Sequence, residues 1–176
     1  MNIWVTAASP FFEEGLLKSK EDDFFYQSLL RMVNSYSSSN GKKVLILRDT
    51  CSKLSILDFL RELSWECQFV TATKGALPTA MVGVADAPSE EPILVAPGDS
   101  YVLDGYESAI QLFLESPFDG YVPTIQAEDD SWSYVRYFRN NRISEIAEKR
   151  KISREAATGA FIFRNKMIFL TQQNGF

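Results

Sequence analysis

Pro92-Ile93-Leu94-Val95-Ala96-Pro97-Gly98-Asp99-Ser100 is the stretch on which the reading of this chain turns. An unbroken apolar run runs into a glycine turn and a single carboxylate. Apolar residues without polar alternation mark a strand covered on both faces, as in a parallel sheet. Ligands of open α/β sheets bind beyond the carboxyl ends of such strands. Asp99 stands at that position.

Working outward, the same pattern recurs. Ile3-Trp4-Val5, followed by Ala7 and Ala8, reads as a short buried strand, Val44-Leu45-Ile46-Leu47 as a second and Gln68-Phe69-Val70 as a third. Helical spacing separates them. Phe24, Phe25, Leu29, Leu30 and Val33 predict a helix from Asp22 to about Ser35, and Leu54, Leu57, Leu60 and Leu63 form one stripe with Ser52 as its cap. Pro78 suits the first turn of a helix running to about Asp86. Tyr106 to Glu115 predicts another helix, and Gly120 to Ile125 a fifth strand. The expected class is α/β: a mostly parallel Rossmann-like sheet with helices on both faces.

After Glu128 the pattern changes. Ser133 to Phe138 and Arg142 to Ile146 predict a hairpin around Asn140-Asn141, because Asn tolerates left-handed turn conformations. Ala160 to Phe163 is a further strand. Met167 to Leu170 reads as an exposed final strand, which would invite a homodimer. The C-terminal half is therefore expected to be partly antiparallel, within one domain spanning 1–176.

Composition narrows the chemistry. The chain has 176 residues, 45% hydrophobic and 23% charged, and no histidine. Ser-His-Asp and Cys-His nucleophiles, a histidine general base and His-ligated zinc are excluded. Cys51 and Cys67 form no CxxC, so neither a four-cysteine zinc site nor a disulfide framework is possible. A net charge of −5 and a pI near 4.9 argue against a non-specific grip on nucleic acid or an anionic membrane. The one basic cluster runs from Arg136 to Arg154 and is interrupted by acids. No apolar run nears the ~20 residues of a spanning helix. The N-terminus lacks a signal-peptide pattern, so a cytoplasmic location is expected.

Four loops could carry chemistry: Ala8 to Lys20, Thr71 to Thr79, Gly98 to Asp104, and the segment around Glu148-Lys149. Asp99 could hold Mg²⁺, which commonly bridges one or two carboxylates to substrate phosphates. It could equally cap a helix or close an Asx turn. Thr73-Lys74-Gly75-Ala76 could admit a ligand to the backbone ahead of a helix N-terminus, or be a plain βα turn. Glu148-Lys149 could receive sugar hydroxyls and a phosphate, or be a solvated charge run. Gly159 marks a bulge or a close ligand approach.

The order of these segments resembles the sugar-1-phosphate nucleotidylyltransferases, an α/β family with a GT-A-like fold. Thr71 to Ala80 is similar to the family's base-contacting turn, Leu94 to Asp99 to its strand ending in Gly-Asp, Glu148-Lys149 to its sugar-phosphate pair, and Thr158 to Phe163 to its glycine before an aromatic strand. The resemblance implies that Asp99 binds Mg²⁺ and that Ala8, Gly75, Ala76, Thr79 and Gly98 line the nucleotide. It implies that Glu148, Lys149 and Gly159 hold the sugar phosphate. Lys20 falls where the family's loop lysine falls, so Asp99 and Lys20 would be the catalytic pair. The implied reaction joins a sugar 1-phosphate to the α-phosphate of a nucleoside triphosphate and releases pyrophosphate, as nucleotide-sugar and capsular polysaccharide synthesis require. Alignment and charge neutralisation carry such a step, so the lack of histidine is no obstacle.

The family's glycine- and arginine-rich loop after the first strand is altered. Ala7 to Lys20 has lost most glycines and the arginine, Pro10 offers no amide, and Glu13 and Glu14 would repel a triphosphate. No residue takes the part of a second metal-binding aspartate. Two alternatives stand beside the enzyme. One is a binding or regulatory protein for sugar phosphates or nucleotide sugars that keeps the fold without the reaction. The other is a GT-A-type glycosyltransferase, against which the absence of an Asp-x-Asp after Pro97 counts.

Overall fold

A computed structural model describes residues 1–18, 24–36 and 39–171. In chain order the elements are β1 (Asn2–Thr6), α1 (Pro10–Lys18), α2 (Phe24–Asn34), β2 (Lys43–Arg48), α3 (Ile56–Glu62), β3 (Trp65–Val70), α4 (Ala76–Val84), β4 (Ile93–Pro97) and α5 (Glu107–Glu115). Then follow β5 (Gly120–Tyr121), β6 (Thr124–Gln126), β7 (Ser133–Tyr137), β8 (Ile143–Glu148), β9 (Glu155–Ala157), β10 (Phe161–Phe163) and α6 (Lys166–Thr171).

The main sheet has the order β3-β2-β1-β4-β10-β5. β1 to β4 are parallel, while β10 runs antiparallel to both β4 and β5. The predicted mostly parallel α/β sheet is therefore present. Strand alternation sorts its side chains to two faces. Ile3, Val5, Leu45, Leu47 and Leu94 pack with Phe12, Leu16, Leu29, Leu57, Leu60 and Phe113 from α1, α2, α3 and α5. Trp4, Val44, Ile46, Ile93 and Val95 pack on the other side with Ala80 and Val84 of α4 and Phe169 of α6. Helices cover both faces, which explains the unbroken apolar runs.

A second sheet, β6-β9-β7-β8, is antiparallel. It contains the predicted hairpin, with Asn140 and Asn141 both at positive φ. The expected fifth strand divides between the sheets: Tyr121 pairs with Ile162, but Thr124 pairs with Ala157. Pro123 lies at the break. It has no N–H for a ladder, and its carbonyl accepts instead from Thr158 N–H at 3.0 Å.

Three expectations are corrected. Ala8 to Lys20 is not an open loop, because Pro10–Lys18 is helical. Ser9 caps the helix, with Phe12 N–H donating to Ser9 Oγ at 3.2 Å, and Pro10 occupies the first helical position. Phe12 and Leu16, one turn apart, are buried in the core. Met167 to Leu170 is helix α6 rather than an exposed strand. Asn165 accepts Ile168 N–H at 3.0 Å, and the Phe169 ring meets Phe163 edge-on at 5.2 Å. The dimer edge expected there does not form. Ser52 lies in a 3₁₀ turn, and Ser55 takes the N-cap position of α3. The predicted helix start at Asp22 lies outside the described residues.

Candidate functional site

The strand order reverses between β1 and β4, since β2 and β3 lie to one side of β1 and β10 and β5 to the other side of β4. At the carboxyl ends of these two strands is a cavity of about 140 Å³. Thr6 and Ala8 enter it from the end of β1, Ser9, Pro10 and Phe12 from the start of α1, and Pro97 and Asp99 from the end of β4. Thr73, Gly75, Ala76 and Thr79 enter from the turn between β3 and α4. Such a switch point is where open α/β sheets bind ligands.

The β3–α4 turn is tightly determined. Gly75 has φ +121° and ψ −178°, a conformation essentially confined to glycine. A Cβ there would meet no atom within 4 Å, so the position faces open space. Thr79 is buried, and its hydroxyl donates to the Gly75 carbonyl at 2.9 Å and meets the Thr73 hydroxyl. The two threonines fix the loop that Gly75 bends.

Asp99 is exposed at the mouth. Among the described residues its carboxylate makes no hydrogen bond or ion pair, and α5 starts only at Glu107. It is neither a cap nor an Asx turn. Gly98 has a different reason. A Cβ there would lie 2.6 Å from Ala7 Cβ and 3.1 Å from the Thr6 carbonyl, to which Gly98 N–H donates at 2.8 Å. Its glycine lets β1 and β4 end side by side. Gly159, at φ +85°, backs onto Pro97, where a Cβ would come within 3.0 Å of Pro97 Cγ.

Of the residues predicted for the site, the cavity brings together Ala8, Gly75, Ala76, Thr79 and Asp99. Glu148 and Lys149 are not among its lining residues. Glu148 ends β8 and Lys149 follows it, both exposed, with Lys149 at φ +50° donating its N–H to Trp132 O at 3.1 Å. Lys20 lies outside the described residues. Sequence reasoning named the Ala8 to Lys20 segment but did not single out Ser9, Pro10 and Phe12 within it, although Ser-Pro before an apolar pair is itself a helix-start signal.

Charge at the site is sparse. Among the described residues no lysine or arginine and no second carboxylate lines the cavity. Glu13 and Glu14 do not oppose a ligand there. Glu13 bonds the Thr50 hydroxyl and lies 3.8 Å from Arg48 Nε, while Glu14 is engaged by Lys18, which holds its carboxyl below the usual range. No cluster of three or more metal-ligating side chains exists among the described residues. A single unbonded carboxylate still suits Mg²⁺, which takes one or two carboxylates and completes its shell with water and phosphate oxygens.

Comparison with solved structures places this architecture. A nucleoside-diphosphate-sugar pyrophosphorylase from Vibrio cholerae is similar at 21% identity and a TM-score of 0.75, over 98% of this chain and 77% of that one. The inositol-1-phosphate CTP transferase from T. maritima aligns at 18% identity and a TM-score of 0.73, over 99% of this chain and 74% of that one. This chain has the nucleotidylyltransferase fold. A 4-diphosphocytidyl-2C-methyl-D-erythritol synthase from Anaerococcus prevotii shares the fold at 12% identity and a TM-score of 0.64, over 99% of this chain and 75% of that one. No protein-family model and no curated protein matches the chain. Helix α1 begins at the carboxyl end of β1 and forms one wall of the β1–β4 cleft. Among the described residues no helix is long and apolar enough to cross a membrane.

Proposed function

We propose that this chain binds a nucleoside triphosphate in the β1–β4 cleft and transfers its nucleoside monophosphate to a sugar 1-phosphate, releasing pyrophosphate. The Asp99 carboxylate, unbonded among the described residues and lining the same switch-point cavity as the glycine-only turn at Gly75, is the observation that carries this reading. The base would rest on Gly75 and Ala76, where the backbone lies open. Asp99 would hold Mg²⁺. Bound there, the ion would offset phosphate charge. The sugar phosphate oxygen forms a new bond to the α-phosphorus as the bond to the β-phosphate breaks. The chain's part is to hold the two substrates in line. Glu148, Lys149 and Gly159 are proposed for the sugar phosphate, and Lys20 for the triphosphate.

One observation favours a second reading, a protein that binds nucleotide or nucleotide sugar without transfer. α1 occupies Pro10–Lys18, within the segment that resembles the family's phosphate loop, and its first turn has few amides to give. Pro10 has none, Phe12 N–H is held by Ser9 Oγ, and Glu13 N–H is held by Ser9 O at 2.9 Å. The cavity of about 140 Å³ is also below the roughly 300–1,000 Å³ of ordinary ligand sites, so it would enclose only part of a nucleotide.

Calorimetric titration with CTP, UTP, dTTP, ATP and GTP and with UDP- and CDP-sugars, with Mg²⁺ and then EDTA, followed by a sugar-phosphate screen for pyrophosphate release, separates the readings. Magnesium-dependent binding with release supports transfer. Binding of triphosphate or nucleotide sugar without release supports the second reading. Binding of neither class overturns both.

A further inference from the structure

The whole-chain charge of −5 conceals an uneven distribution. Between Arg136 and Arg154 the chain carries seven basic and two acidic residues, a local charge of +5, which leaves −10 for the rest. The structure gathers this segment onto the hairpin β7–β8, whose second strand is the edge of its sheet, and onto the loop that follows. Glu145 is shared by Arg136 at 2.6 Å and Arg150 at 2.8 Å, so one acid answers two bases. Arg139, Arg142, Lys149 and Arg154 form no ion pair among the described residues, and all four are exposed. Of the remaining acids nearby, Asp129 bonds Ser131 and Trp132, Glu155 bonds Thr124 and Gln126, and the exposed Glu128, Asp130 and Glu148 lie at the end of the hairpin away from its tip.

The same hairpin exposes apolar side chains at its tip. Phe138 is 68% exposed, and its neighbours Tyr137 and Ile143, with Ile146 further along β8, are exposed as well. The tip is preformed: Phe138 N–H donates to Arg142 O at 2.6 Å, across Asn140 and Asn141 at φ +63° and +58°. Phe138 is thus flanked directly by Arg139 and faced by Arg142.

We propose that the β7–β8 hairpin is a docking surface for an anionic lipid bilayer, with Phe138 and Ile143 entering the interface and Arg139 and Arg142 meeting the headgroups. Charge complementarity selects an anionic partner. Exposed aliphatic side chains beside the aromatic tip select a partner with an apolar interior, since isoleucine offers nothing to a stacked base. The net acidity of the chain does not oppose this contact. Charges more than about 8 Å from the surface are screened at physiological salt, so the membrane meets the hairpin and not the total.

The test is co-sedimentation of the full chain with vesicles of phosphatidylcholine alone and of phosphatidylcholine with 30% phosphatidylserine, at about 0.15 M and 0.5 M salt. Binding is expected only to the anionic vesicles, and it should be lost at high salt. Phe138→Ala and the double variant Arg139→Gln with Arg142→Gln should each weaken it, the double variant by roughly tenfold or more. Both sites are exposed, and thermal melts should match the parent. Failure to bind anionic vesicles, or binding that ignores both variants, overturns the proposal. Tight binding of a single-stranded oligonucleotide with no vesicle binding would assign the surface to nucleic acid instead, and also overturns it.

Discussion

Gly75→Ala isolates the strain built into the β3–α4 turn. The backbone at φ +121° and ψ −178° lies where a side chain costs about 1–3 kcal/mol. Steric overlap adds nothing, because an added Cβ finds no atom within 4 Å. For a domain of this size each kcal/mol lowers Tm by about 2–4 °C, so the folded turn should melt roughly 2–12 °C earlier. If the turn relaxes instead, it must release the Thr79 hydroxyl from the Gly75 carbonyl at 2.9 Å and the Thr79 N–H from the same carbonyl at 3.3 Å. That relaxation moves the wall of the cavity, and nucleotide binding should fall in its place. Thermal melts and calorimetric titration on the same preparation read both outcomes. A Tm within 1 °C of the parent together with unchanged binding would refute the view that this turn is held in a glycine-only conformation.

Asp99→Asn should leave the melting temperature within about 1 °C, because the carboxylate is exposed and has no partner among the described residues, while abolishing magnesium-dependent triphosphate binding in calorimetry. Phe169→Ala should cost about 3–5 kcal/mol by urea unfolding, since the ring is buried beneath the main sheet, and a loss under 1 kcal/mol would show that α6 is not docked there. Burial raises the thiols of Cys51 and Cys67 above their ordinary range. Their neutral forms are favoured by folding, so this contribution is intact below the unfolded thiol value near 8.5 and is lost as pH rises beyond it. The urea midpoint should therefore fall between about pH 7.5 and 9.5, and the buried Cys51 thiol should react slowly with a thiol reagent until the chain is unfolded.

Much of the fold was legible because strands buried on both faces leave a plain trace. Val44 to Leu47 and Ile93 to Ala96 can hardly be anything else, and their order places Asp99 and Gly75 at one end of the sheet. The helix α1 was harder to read, its only local signal being Ser9-Pro10 at its start. Its Phe-Phe-Glu-Glu-Gly sequence looks poor for a helix, and Gly15 is tolerated inside it because Phe25 packs where a Cβ would stand, at 2.6 Å. Met167 to Leu170 is a four-residue apolar run, too short for periodicity to separate strand from helix. Asn165, just before it, carried the deciding signal. Spacing also cannot tell whether a glycine serves a ligand or a neighbouring strand. Gly98 reads like a ligand turn, yet the atom it accommodates is Ala7 Cβ.

The position of β10 has a consequence for how the chain is made. Its three residues sit between β4 and β5, pairing Phe163 with Ile93 and Gly120 across long sequence intervals. Until Phe161 to Phe163 have been synthesised, β4 presents an unpaired edge of Ile-Leu-Val-Ala. About seventy residues separate Ile93 from Phe163, which at ~5–20 residues per second leaves that edge open for several seconds on the ribosome. An open apolar edge of this kind is a template for pairing with another chain. Closure of this edge therefore waits on β10, and the nascent chain carries an aggregation-prone edge until that strand emerges.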